Sequence, residues 1–207
     1  MTLLLLAPRI NETGLQLLTR ARRRGLRAHT PVRWEVPAEL AGLRPAHLYG
    51  GPLFADIAAG PLGVVPLEPP ADWLTALPAE LLSRRVECTT LAEARRLRRP
   101  AFLKPPADKL FPARVQPDGS GLPGPDALAF AADVLAAGGL PSAAVVAVGR
   151  PADGGWAVAE ADPAWASGGY ACDPDQVLDV VLRAAGPADA LTPADRRYAR
   201  PVPEVVR

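Results

Sequence analysis

The sequence predicts an α/β fold with a small parallel sheet in the first half of the chain and a smaller α+β region after it. Short apolar segments alternate with helical patterns along residues 3–67, as they do in parallel sheets. Capping residues and glycines stand at the ends of these helical patterns. The chain has 207 residues, 49% of them hydrophobic, which is enough to bury the core of one large domain or two small ones.

The first strand is predicted at Leu3–Ala7, a buried run of leucines. A polar loop follows it, in which Asn11 or Thr13 can cap a helix that ends at Gly25. A second helix begins after Gly50–Pro52 and runs through Ala58. The further strands of the first half are predicted at Val32–Val36, Ala46–Tyr49 and Val64–Leu67.

The loops after the first and third predicted strands would project from one edge of the sheet. Ligands of parallel α/β sheets bind at this edge, where the carboxyl ends of the strands meet. We therefore predict that these loops contact a substrate through Arg9, Asn11, Thr13, Tyr49, Gly50 and Gly51.

A proline-rich passage at Pro66–Pro78 separates the two halves of the chain. After it, Thr90 and Glu93 form a capping box that starts a short helix with Leu91, Ala94 and Leu97 facing inward. The remaining predicted elements are strands at Ala101–Lys104, Ala143–Gly149 and Trp156–Glu160, a helix from Asp126 to Gly138–Gly139, and a helix from Asp173–Pro174 to Gly186 with an apolar stripe of Val177, Leu178, Val181 and Leu182. The polar, proline-rich tail from Pro187 is predicted to pack loosely.

Charge and cysteine usage exclude several classes of partner. The 23 basic residues nearly balance the 22 acidic ones, so no global field would attract a nucleic acid or an anionic membrane. The N-terminal apolar run has only four leucines and an alanine, too short for a secretory signal, and no stretch reaches the length of a membrane span. Cys88 and Cys172 lack metal or redox spacing and are expected to be small buried hydrophobes. This usage predicts a cytoplasmic protein.

Lys104 and Lys109 are the only lysines in a chain whose other basic residues are all arginine. A lysine ammonium is a compact point charge, whereas the guanidinium of arginine is a broad fork. Two ammonium groups at the end of a strand can hold phosphate oxygens without covering the reacting phosphorus. The alternative interpretation is that both are solvated surface lysines.

A pair of acids ends the predicted strand Trp156–Glu160. Alternation along the strand places Glu160 and Asp162 on the same side. Mg²⁺ takes one or two carboxylates together with phosphate oxygens, so this pair is a candidate metal site. The alternative is an acidic turn before Pro163.

Five segments, in order, resemble a clade of small bacterial and phage ATP-grasp proteins once catalogued as a domain of unknown function: APRINETG, YGGPLFAD, EPPADWL, AFLKPPADKLFPARV and VGRPADGGWAVAEADPAWASGGYACDPDQVL. ATP-grasp enzymes phosphorylate a carboxylate with ATP, and an amine or thiol then displaces the phosphate. The resemblance implies that Lys104 and Lys109 contact ATP and that Glu160 and Asp162 hold Mg²⁺. It also implies a Rossmann-like domain at residues 1–95, a truncated ATP-grasp domain at 96–190 and a tail at 191–207.

The chain departs from this family pattern in its second half. Relatives carry a long insert between the equivalents of Leu122 and Ala129, usually have an acid where Ala147 stands, and have Glu-x-Asn in place of Glu160-x-Asp162. We assign Arg150 as the catalytic substitute for an arginine of the missing insert. The departures leave three hypotheses open: an ATP- and Mg²⁺-dependent carboxylate–amine ligase acting on a small carboxylate or peptide, an inactive nucleotide- or protein-binding module, and a homodimer whose second copy completes the site.

Overall fold

The computed structural model describes residues 1–98, 125–151, 154–170 and 172–201. The predicted strand Ala101–Lys104 and both lysines lie outside these residues. The chain forms two compact units. The first consists of Met1–Pro69, Leu140–Val145 and Asp162–Arg207, and the second of Pro70–Gly139 and Val146–Ala161. The division into a Rossmann-like and an ATP-grasp domain stays a prediction.

A small parallel sheet forms the centre of the first unit, as predicted. Its strands are β1 (Leu3–Leu6), β2 (Arg27–His29) and β3 (Ala46–Tyr49), in the order β2-β1-β3. Both neighbours pair with β1 in parallel, with Leu3 opposite Arg27 on one side and Ala46 on the other. The four leucines of β1 are fully buried because the central strand of a parallel sheet is covered on both faces.

Helix α1 (Glu12–Arg23) follows β1, and Asn11 is its N-cap. The Asn11 side chain accepts a hydrogen bond of 2.8 Å from the backbone nitrogen of Gly14, which satisfies one of the unpaired amides of the first turn. Gly25, just after the helix, has a φ of +77°, a conformation that glycine adopts without steric cost. The helix buries Leu17 and Ala21.

Helix α2 (Pro52–Leu62) follows β3 and has a proline in its first turn, where the missing amide hydrogen costs nothing. It buries Phe54, Ala55, Ala58 and Leu62. The chain then enters β4 (Val64–Pro66), which pairs antiparallel with β7 (Ala185–Pro187) in a separate two-stranded sheet. The predicted fourth strand therefore exists, but it does not extend the parallel sheet.

Helix α6 (Pro174–Ala184) completes the first unit and is capped by Asp173, as predicted. Leu178 and Val181 of its apolar stripe are buried in one cluster with Leu4 and Leu6 of β1. Two exposed ion pairs also join α6 to α1: Arg20 with Asp175 at 3.2 Å and Arg24 with Asp179 at 2.7 Å. Exposed pairs contribute little, so the apolar stripe holds α6 in place.

The residues after Pro187 are packed, which corrects the prediction of a loose tail. Asp195 and Tyr198 are only 3% and 6% exposed. The guanidinium of Arg200 donates to the carboxylates of Asp56 and Glu68. These polar contacts replace the apolar stripe that a sequence pattern would have shown.

The second unit contains α3 (Trp73–Ala76), α4 (Leu91–Ala94), α5 (Pro125–Ala136) and most of β5 (Ala144–Gly149) and β6 (Ala157–Pro163), which pair in a two-stranded sheet. The predicted capping box is present, since Thr90 and Glu93 exchange side-chain-to-backbone hydrogen bonds. The indole of Trp73 donates a 3.0 Å hydrogen bond to the carbonyl oxygen of Gly138, just after α5.

Four further predictions about single segments are wrong. Val32–Val36 is not a strand, and Val32 in it is 97% exposed. Leu97 is exposed rather than inward-facing, and Cys88 and Cys172 are exposed rather than buried. None of the helices in the described part of the chain has the length and hydrophobicity needed to cross a membrane.

Candidate functional site

A small pocket lies at the carboxyl edge of the parallel sheet. Its cavity volume is about 120 Å³. The loop after β1, the loop after β3 and two more distant segments form its walls, with these lining residues: Ala7, Arg9, Ile10, Asn11, Trp34, Tyr49, Gly50, Gly51 and Ala166. Five of the six predicted substrate-contacting residues are thus brought together here, and the sixth, Thr13, is not among the lining residues.

Gly50 allows the loop after β3 to approach the loop after β1. A Cβ atom at this position would lie 2.8 Å from the Cβ of Ala7 and 3.0 Å from the Phe54 ring. The backbone nitrogen of Gly50 also donates a 2.9 Å hydrogen bond to the carbonyl oxygen of Trp165. The glycine is therefore required by close packing around the pocket.

Replacing Gly50 with alanine should lower the free energy of unfolding by about 2 kcal/mol, because the added methyl group overpacks the contact with Ala7. Urea unfolding of the purified variant measures this change. Gly60→Ala is the matched control, since a Cβ at that helical position meets no atom within 4 Å. The control should be stabilised by about 0.5 kcal/mol. Equal effects of the two substitutions would contradict the packing role of Gly50.

Tyr49, at the carboxyl end of β3, is only 6% exposed, and its hydroxyl donates a 2.9 Å hydrogen bond to the carbonyl oxygen of Ser167. Burial raises the pKa of the Tyr49 phenol, and hydrogen bonds with the Asn11 and Thr13 side chains offset only part of this effect. The phenol is therefore neutral at physiological pH and acts as a hydrogen-bonding group in the pocket wall.

Thr13 has a structural role beside the pocket. Its hydroxyl oxygen accepts a 2.9 Å hydrogen bond from the backbone nitrogen of Gly169. This contact positions the segment Ser167–Tyr170, which adjoins Ala166 in the pocket wall. Tyr170 at the end of this segment is 72% exposed and has a φ of +46°, an uncommon conformation for a bulky residue.

Arg9 provides the positive charge of the pocket. Its side chain is exposed and forms no hydrogen bond or ion pair with the described residues. Of the described residues that line the pocket, none is acidic. The amino ends of α1 and α2 also open beside it, and their partial positive charges add to that of Arg9. The electrostatics of the pocket thus favour an anionic group.

Trp34 is a pocket residue that the sequence analysis missed. The segment Val32–Val36 alternates apolar and polar residues and was predicted to be a strand, which drew attention away from its single aromatic side chain. In the structure the Trp34 ring packs edge-on against Phe54, with 5.9 Å between ring centroids, and stays 43% exposed. Trp34 thus presents a partly open aromatic surface to the pocket.

Glu160 and Asp162 both lie on β6 and are half-buried. They are separated by one residue, so their side chains leave the same face of the strand. Arg84 supports the strand just before this pair, because its guanidinium donates to the carbonyl oxygens of Val158 and Ala159. Among the described residues, no group of three or more acids, histidines or cysteines could enclose a metal ion. Two carboxylates nevertheless suit Mg²⁺, which completes its shell with water and phosphate oxygens.

Arg150, the predicted catalytic arginine, follows β5 and is engaged in local contacts. Its guanidinium pairs with the carboxylate of Asp126 and lies over the Trp156 ring, 4.7 Å from the ring centroid. The Trp156 indole also donates to Asp126 at 3.2 Å, and Phe130 stacks on the same ring. Arg150 would have to leave these partners in order to reach a phosphate.

The comparison with protein-family models defines the class of this protein. Residues 116–181 match an ATP-grasp domain, so the chain belongs to the ATP-grasp superfamily, as the sequence resemblance predicted. The matching model is that of an ATP-grasp domain, the third family of its clade. The matched residues include Glu160 and Asp162, whereas Lys104 and Lys109 precede them and lie outside the described residues. No curated protein and no solved structure gives a significant match.

Proposed function

We propose that the protein is an ATP- and Mg²⁺-dependent carboxylate–amine ligase of the peptide type, or a descendant that retains part of its site. The observation that carries this proposal is the pair Glu160 and Asp162, which share one face of β6 within the segment that matches the ATP-grasp family. In this reaction ATP supplies the phosphoryl group that activates a carboxylate. The amine then displaces the phosphate and forms the amide.

The residues of the chain would divide this work between positioning and charge neutralisation. Glu160 and Asp162 would hold Mg²⁺ against the phosphates, and Lys104 and Lys109 would neutralise the charge on the phosphate oxygens. The pocket with Arg9 would bind the acceptor substrate. Positioning and electrostatics supply most of the catalysis in phosphoryl transfer, so a shortened scaffold can retain activity if these groups remain.

Thermal stabilisation by ATP tests the nucleotide part of the proposal, because a ligand that binds only the folded state raises its melting temperature. At an ATP concentration of about 100 times Kd with Mg²⁺, stabilisation should reach about 2.7 kcal/mol. For a chain of this size the expected rise in Tm is about 5–10 °C. Lys104→Ala and Glu160→Ala should each lose at least half of this rise.

Glu80→Ala is the control for these variants, since Glu80 is an exposed acid in the same unit as Glu160 and lies outside the matched segment. It should keep the full stabilisation. An unchanged Tm of the wild-type protein at millimolar ATP would contradict nucleotide binding. The measurement is differential scanning fluorimetry with and without Mg²⁺.

The contacts of Arg150 favour one second candidate function, an inactive module that binds a nucleotide or a protein in the old cleft. Arg150 is held by Asp126 and Trp156, and Ala147 stands where relatives carry an acid. Release of ADP and phosphate in the presence of small carboxylates and amines separates the two candidates. ATP binding without such release would support the inactive module.

The homodimer hypothesis adds a second copy that supplies the missing wall of the nucleotide site. It predicts that ATP affinity depends on protein concentration. Light scattering during an ATP titration tests this dependence, and a strictly monomeric protein that binds ATP tightly would contradict it.

A further inference from the structure

The volume of the pocket at the sheet edge restricts what can enter it. An engineered protein cavity of about 150 Å³ binds benzene, a molecule of six heavy atoms. The pocket here has a cavity volume of about 120 Å³. It is therefore large enough for a group of about six heavy atoms and several times too small for a nucleotide. The pocket accommodates a small ligand or the end of a longer one.

The charge of the pocket selects an anion. Arg9 lines it without a partner among the described residues, and the lining contains no acid in that part of the chain. An arginine guanidinium offers several donors in a planar fork that matches a carboxylate in a bidentate arrangement. The Asn11 side-chain oxygen is already used in capping α1, so Arg9 is the main group that can bind an anion here.

The remaining walls are apolar and select against a purely inorganic anion. Ala7 and Ala166 have small side chains, and Ile10 and Trp34 add larger apolar surfaces. Ile10 and Trp34 are 37% and 43% exposed, so each still has surface that a ligand can cover. An inorganic phosphate would use Arg9 but gain nothing from these walls, whereas a short alkyl chain would remove them from water.

We propose that this pocket binds a short aliphatic monocarboxylate with a chain of about three or four carbons, a length set by the pocket volume. Its carboxylate lies against Arg9, and its alkyl chain packs against Ala7, Ala166 and Trp34. The inference deepens the proposed function, and it rests on that function in one respect: this ligand is then the carboxylate that the ligase activates. A single cation lines the described pocket, so a second carboxylate on the ligand would be disfavoured.

Titration of the full chain with butanoate in the absence of ATP tests the proposal. The measurement is the change in ¹H–¹⁵N chemical shifts of residues 7–11 and 49–51. We expect millimolar binding by wild-type protein and at least tenfold weaker binding of butan-1-ol, which lacks the charge. Succinate, with its second carboxylate, should also bind at least tenfold more weakly than butanoate.

Arg9→Gln should weaken butanoate binding at least tenfold, because it removes the guanidinium. Arg33→Gln is the matched control: Arg33 is an exposed arginine next to Trp34 that is not among the pocket residues, and its loss should change Kd less than twofold. Equal weakening by the two substitutions would overturn the proposal. Binding of inorganic phosphate in place of butanoate would also overturn it.

The result is independent of the ATP measurement. Butanoate binding that depends on Arg9, without any stabilisation by ATP, would keep the pocket and reject the ligase. Stabilisation by ATP without butanoate binding would reject the pocket ligand and leave the nucleotide site.

Discussion

Replacing Trp165 with alanine should lower the free energy of unfolding by about 4 kcal/mol, the loss typical of a truncated core aromatic residue. Trp165 is fully buried in the main cluster of the first unit, and its indole donates a 2.8 Å hydrogen bond to the carbonyl oxygen of Leu67. The substitution would leave a large cavity and an unsatisfied buried carbonyl group. Urea unfolding at 25 °C measures the change.

Trp34→Ala is the control for this prediction because it removes the same side chain from a position that is 43% exposed. It should cost less than half as much, since most of the hydrophobic free energy comes from area removed from water. A second variant, Trp165→Phe, keeps part of the buried volume and should give an intermediate loss if the alanine variant fails to fold. Similar losses for Trp165→Ala and Trp34→Ala would contradict the central position of Trp165.

Removing the carboxylate of Asp195 should lower the free energy of unfolding by about 3 kcal/mol at neutral pH, since several hydrogen bonds to one buried charge are lost together. Asp195 is 3% exposed. It accepts from the backbone and hydroxyl of Ser142 at 2.8 Å, from the Thr192 hydroxyl at 2.7 Å and from Arg183 at 3.2 Å. Asp189→Ala, which removes an exposed acid nearby, should change stability by less than about 0.5 kcal/mol.

The pH dependence of the Asp195→Ala effect provides a second measurement. Burial alone would raise the pKa of Asp195, but the hydrogen bonds from Ser142 and Thr192 and the charge of Arg183 hold this pKa below its ordinary value. A lowered carboxyl pKa stabilises the folded state above the unfolded pKa of about 3.9 and loses this effect as pH falls through the folded pKa. The difference between wild type and Asp195→Ala should therefore narrow below about pH 4. A constant difference from pH 7 to pH 2 would contradict the assignment.

Local patterns predicted the elements that local interactions determine. The leucine run of β1, the cap at Asn11 and the Asp173–Pro174 start of α6 each depend on residues close in sequence, and the structure contains all three. Strand β2 was misplaced because Val32–Val36 has the better strand residues. The position of β2 is instead set by its parallel pairing with β1, a contact distant in the sequence, which overrides intrinsic propensity.

The elements that the sequence did not reveal depend on distant polar contacts. Strand β7 consists of Ala185, Gly186 and Pro187, which are poor strand formers, and it exists because β4 pairs with it. The segment around Asp195 is anchored by Ser142 and Arg183, which lie far from it in the sequence. Hydrophobic periodicity carries no information about such contacts.

The candidate site was predictable where one strand edge or one strand face fixes it. Tyr49 and Gly50 follow β3, Arg9 follows β1, and the rule for parallel sheets brings them to one edge. Trp34 and Ala166 enter the same pocket from segments that no sequence rule connects to that edge. The roles of Lys104, Lys109, Glu160 and Asp162 stay predictions.

The discontinuous first unit has a consequence for synthesis of the protein. Leu4 and Leu6 of β1 are covered by Leu178 and Val181, which leave the ribosome much later. At typical translation speeds this delay is on the order of ten seconds. The nascent chain therefore carries an uncovered leucine face throughout most of its elongation, and a chaperone that binds apolar segments would meet it there before the native partner arrives.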